Sequence, residues 1–107
     1  MPTLDEQYNQ AAEDQKNYLL QIQTAFNQHC SEITELAKVK LSQIPESDME
    51  NRNKVTEEQK QKLSEALQQL KTEINTSSTN TRIKLEQIHS QREAIKLQEL
   101  EKTISKT

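Results

Sequence analysis

An all-α fold is what this sequence predicts, and three observations predict it. There is no glycine among the 107 residues and there are only two prolines. The positive-φ turns of β-hairpins and the close backbone approach of phosphate-binding loops therefore lack the residue that makes them. Glu, Gln, Lys and Leu dominate, and aromatic residues are 3% of the chain, a composition that favours helix over sheet. Apolar residues also recur at helical spacing along most of the length. The expected architecture is two or three long amphipathic helices forming a small antiparallel bundle or coiled coil, as a single helical domain over 1–107.

Its core is expected to be marginal. Leu, Ile, Val and Phe total 22 of 107 residues, just above the level of about 20% at which chains stay disordered. High net charge, the other mark of disorder, is absent, because 14 bases against 17 acids leave −3. Such a chain can bury a thin seam, so it is expected to depend on self-association or a partner, or to fluctuate as a helical ensemble.

The first helix is expected over about 4–44. Thr3-Leu4-Asp5-Glu6 forms a capping box, in which Thr3 and Glu6 satisfy exposed N–H groups at the helix start. Tyr8, Ala12, Leu19, Ile22, Phe26, Cys30, Ile33, Ala37, Leu41 and Ile44 follow at close to 3.6-residue intervals, a spacing that keeps them on one face. Gln15 interrupts the series, and the polar stretch around 13–17 is a point where so long a helix could break. Pro45 ends it, since the residue before a proline is pushed out of helical geometry.

Residues 45–55 read as a link, either disordered or containing one helical turn capped by Ser47 or Asp48. A second helix, about 56–75, restarts at the capping box Thr56-Glu57-Glu58-Gln59, with Glu58 and Lys62 as an i,i+4 pair. Leu63, Leu67, Leu70 and Ile74 mark its apolar face. Residues 75–81 are NTSSTNT, two Asn with five Ser and Thr. These side chains compete with helical hydrogen bonds, so the stretch is read as a polar link, and as a continuous rod if it stays helical. A third helix is expected over about 81–105, where Ile88 and Ile95 lie on one line and Ile83, Leu97 and Ile104 on another. No repeat at a solenoid period is evident.

The chemistry available is sparse, and the chain is expected not to be an enzyme. His29 and Cys30 are adjacent, so on a helix they point about 100° apart and do not form a nucleophile–base pair. Two His and one Cys at 29, 30 and 89 do not make a zinc site, and no cofactor is expected. Asn75-Thr76-Ser77 is formally a glycosylation sequon. Residues 81–107 hold six bases and four acids, too interleaved, and too poor in aromatics, for nucleic-acid binding. No apolar run is long enough to span a membrane. The single cysteine fits a reducing, cytoplasmic setting, or a secreted one if a signal peptide has been removed.

These features predict a non-enzymatic protein–protein interaction module, a scaffold or regulatory subunit that binds through amphipathic helix faces or self-associates. Leu19, Ile22, Phe26, Ile33, Leu63, Leu67 and Leu70 are the expected core, and Ile88 and Ile95 the expected partner-facing residues. The alternative is a lipid-surface-binding bundle of the exchangeable-apolipoprotein type. The lack of Trp and of a Lys/Arg-rich polar face weighs against it.

Overall fold

The computed structural model describes residues 1–105, and these are helical almost throughout. Helix α1 runs Leu4–Ser42 and α2 runs Met49–Ser105. The chain forms two compact units, one built from Met1–Tyr18 with the stretch from Asn75 onward, the other from Leu19–Ile74. In each, part of α1 lies antiparallel to part of α2.

The capping at Thr3 is as the sequence predicts: its Oγ1 accepts a 3.1 Å bond from the Glu6 N–H. Helix α1 ends at Ser42, two residues earlier than expected. Its last turn tightens there, with Gln43 and Ile44 N–H groups each donating to carbonyls three residues back at 3.2 Å.

The expected link over 45–55 is corrected to a short turn. Helix α2 starts at Met49, because Asp48 caps it: its Oδ1 accepts from the Asn51 N–H at 3.3 Å and its Oδ2 from the Asn51 side-chain amide at 2.7 Å. Asp48 wins over Thr56 because it closes the turn that Pro45 opens, its N–H donating to the Pro45 carbonyl at 3.0 Å, where the backbone has already left α1. Thr56 lies inside α2, with its hydroxyl donating to the Arg52 carbonyl at 3.1 Å.

The turn needs no glycine. No residue has positive φ among those described, and Arg52 supplies what a glycine C-cap would otherwise supply. Its Nη1 donates to the carbonyls of Leu41 at 3.1 Å and Ile44 at 3.0 Å, which sets a positive charge just past the negative end of α1. Arg52→Ala is expected to cost about 2 kcal/mol, the usual range for charge-assisted hydrogen bonds. A thermal melt would show it, and Arg52→Lys, whose ammonium can also donate to more than one carbonyl but sits on a shorter side chain, should recover part of the loss.

The polar link expected over 75–81 is also corrected, since α2 passes through NTSSTNT without interruption. The reason lies in register. The buried residues Val55, Ala66 and Ile88 of α2 are separated by multiples of eleven, and Ser77 fills the missing place. On α1 the half-buried or buried series Leu4, Gln15, Phe26 and Ala37 shows the same spacing. Eleven residues in three turns is close to 3.67 per turn, so such a stripe does not drift round the helix. Ser77 and Thr81 are seam residues with hydroxyls in place of methyl groups, and nothing in their backbone requires a break.

No side chain among the described residues is fully buried. The core consists of small or β-branched residues, namely Ala11, Ile33, Ala37, Val55, Ala66 and Ile88 at 5–9% exposure. Leu19, Ile22, Phe26, Leu63 and Leu70 are half-buried beside them. This is the thin seam that the composition predicts.

Candidate interaction surfaces

In the unit that contains the N-terminus, the two polar irregularities of the seam meet. Gln15 is half-buried on α1, where an apolar residue would continue the stripe. Its Oε1 accepts hydrogen bonds from Ser77 Oγ at 2.5 Å and Thr81 Oγ1 at 2.8 Å, while its Nε2 donates to Ser78 Oγ at 3.4 Å. The residue that breaks the α1 pattern thus answers the segment that breaks the α2 pattern. A polar layer inside an apolar helix seam fixes which positions face each other, at a cost in stability.

About three turns further along α2, Arg92 makes a second contact between the helices. It donates to Asp5 Oδ1 at 2.7 Å and its guanidinium carbon stands 4.8 Å from the centre of the Tyr8 ring. Asp5 lies in the first turn of α1, so the acid also faces the positive end of its own helix. Beside this contact an open groove of about 760 Å³ is lined by Tyr8, Gln15, Ser78, Leu85, His89 and neighbouring residues.

The expected partner-facing pair separates. Ile88, expected to face outward, is 5% exposed and belongs to the core, because it continues the Val55–Ala66–Ser77 line. Ile95 is 44% exposed. The physical reason is where α1 begins: Asp5 lies beside Arg92, so α1 has run out before Ile95. From Glu93 to Ser105 every residue of α2 is exposed, including Leu97 at 59% and Leu100 at 56%.

In the unit formed by 19–74, Glu58 Oε1 lies 3.0 Å from Lys62 Nζ and 3.4 Å from Lys40 Nζ. The hydrogen bond from Lys62, followed by that from Lys40, holds the Glu58 carboxyl below its ordinary value of 4.5. The Lys62 contact is the i,i+4 pair read from the sequence, and the Lys40 contact joins α1 to α2. A carboxyl whose pKa is lower in the folded chain contributes stability that is whole above its unfolded value and is lost as pH falls through the folded one. Glu58→Gln is therefore expected to leave less of the fall in melting temperature below about pH 4.5. Melts of both proteins at matched ionic strength between neutral and acid pH would check this.

Leu67, expected in the core, is 43% exposed, and Ile74 36%. Both lie at the edge of the seam. Cys30 is half-buried in the stripe, with His29 exposed alongside a shallow groove lined by Ile22, Phe26, Ala66 and Leu70. Among the described residues no three His, Cys, Asp or Glu side chains converge as metal ligands. No helix there is long and apolar enough to cross a membrane. No protein-family model, curated protein or solved structure matches the chain.

Proposed function

We propose that this chain is a non-enzymatic helical interaction module, a scaffold or regulatory subunit that offers helix faces to a protein partner and so completes a small bundle. The observation that carries the reading is the last part of α2. Residues 93–105 are thirteen consecutive exposed helical positions, and Leu97, Leu100 and Ile104 fall on one face at intervals of three and four. Helices in proteins owe most of their stability to packing of an apolar face, and Leu and Ile side chains are stabilised by burial at about 25 cal/mol per Å². A partner helix supplies what the seam with α1 no longer does.

The test is photo-cross-linking of the full chain carrying a benzophenone amino acid at Leu100, in the cells that produce it. A discrete protein adduct, lost on Leu97→Asp, is the expected result. Adducts only to lipid would replace this reading with the lipid-surface one, and absence of any discrete adduct would refute both.

A further inference from the structure

On the face of α2 formed by Lys60, Leu63, Leu67, Lys71 and Ile74 we infer a docking surface for an acidic amphipathic helix of a partner protein. The inference rests on the interaction-module reading and assigns it a second face, in the unit built from 19–74.

At about 100° per residue these five positions occupy an arc of roughly 80° beside the seam. Leu63 is half-buried, while Leu67 and Ile74 are 43% and 36% exposed. Their intervals of three, four, four and three residues match the spacing at which a second helix inserts its own side chains. The charges on this arc have one sign. Between Met49 and Ile74 the acids of α2 are Glu50, Glu57, Glu58, Glu65 and Glu73, and helical geometry places all five on other arcs. Lys60 has one ion pair, to Glu57 at 3.6 Å, with its side chain 71% exposed. Such an exposed pair holds it weakly, so it remains available to an incoming carboxylate.

Charge complementarity selects the occupant. Aliphatic side chains bordered by lysines on the outer edge match a helix with Leu or Ile along its contact line and Glu or Asp beside it. A second copy docking through the same arc would set Lys60 and Lys71 against their own kind. An anionic lipid surface shares the charge but not the shape. Leu67 and Ile74 are partly sunk against the seam, where a helix's projecting side chains reach and a flat surface does not. The arc also lacks the Trp or Phe that anchors interfacial helices.

The experiment uses the full chain and two designed peptides with the same leucine contact line, one bordered by glutamates and the other by lysines, together with phosphatidylglycerol vesicles. The glutamate peptide is expected to bind at least about tenfold more tightly than the lysine peptide. Leu67→Asp should remove that binding, and the double variant Lys60→Glu with Lys71→Glu should reverse the preference. These positions are exposed enough for the fold to persist, and an unchanged circular dichroism melt would establish it for each variant. Equal binding of both peptides, binding that survives Leu67→Asp, or no binding to either would overturn the assignment. Binding to vesicles instead, lost in the same variants, would overturn it in favour of lipid. The adduct at Leu100 serves as the reference: its survival in Leu67→Asp would show that a failure here belongs to this face and not to the interaction-module reading.

Discussion

Ile88→Asp is expected to separate α1 from α2 in the unit that contains the N-terminus, whereas Ile95→Asp is expected to leave that unit intact. Ile88 is 5% exposed and Ile95 is 44% exposed, although the two lie seven residues apart on nearly the same line of α2. Removing a buried isoleucine side chain costs about 2–5 kcal/mol through lost burial and the cavity left behind. A carboxylate in its place adds the desolvation penalty of a charge set in the seam. The seam here is one of few buried residues, and marginal stability leaves little to absorb such a loss. Amide hydrogen exchange would read the outcome most directly. Residues 4–18 should lose protection in Ile88→Asp, and the 19–74 unit supplies an internal reference. Ile95→Asp should shift exchange and melting by no more than about 0.5 kcal/mol, as for exposed sites in general. Equal damage from both substitutions would mean that the seam extends past Arg92.

Much of this architecture was legible in the sequence because it depends on local rules. The Thr3 cap, the stop before Pro45, the apolar face of α1 and the Glu58–Lys62 pair each depend on residues within one or two turns of each other. The misreadings arose where the deciding partner is distant. NTSSTNT looks like a link when each Ser and Thr is weighed by its own helix preference, a few tenths of a kcal/mol apiece. It looks like helix once Ser77 is placed in line with Val55, Ala66 and Ile88, and Thr81 with Gln59, Leu70 and Arg92. The eleven-residue spacing was available in the sequence. What the sequence alone did not offer was the reason to apply it through a polar stretch, and Gln15, 62 residues away from Ser77, supplies that reason. Arg52 was missed for the same cause: its role lies in the carbonyls of Leu41 and Ile44, across the turn. Ile88 was misplaced because two seams on one helix cannot be assigned to inside and outside until the start of the facing helix is known.

The polar layer itself yields the second large effect, and its sign depends on how much of the layer is replaced. Gln15→Leu alone leaves Ser77 and Thr81 without their shared acceptor. Each hydroxyl can turn back to a carbonyl of its own helix, so the loss is expected to be modest, about 1 kcal/mol. The triple variant Gln15→Leu, Ser77→Ala, Thr81→Leu removes the donors as well and extends the apolar seam through the gap. Burying two leucines stabilises by about 1.5–3 kcal/mol each when complete, and Ala and Leu are better helix formers than Ser and Thr. With these positions half-buried, a net gain of about 2 kcal/mol and a clearly higher melting temperature are expected. The accompanying change should be in specificity. Gln15 opposite an apolar residue is unfavourable, so in the native sequence it opposes pairings that set it against an apolar position, whereas Ser77 and Thr81 satisfy it. Once the layer is apolar that penalty disappears, and sedimentation at rising concentration should reveal larger species for the triple variant at concentrations where the native chain shows none. A triple variant that melts below the native protein would show that the hydrogen bonds of Gln15 contribute more than the leucines that replace them, and that the layer serves stability and not pairing choice.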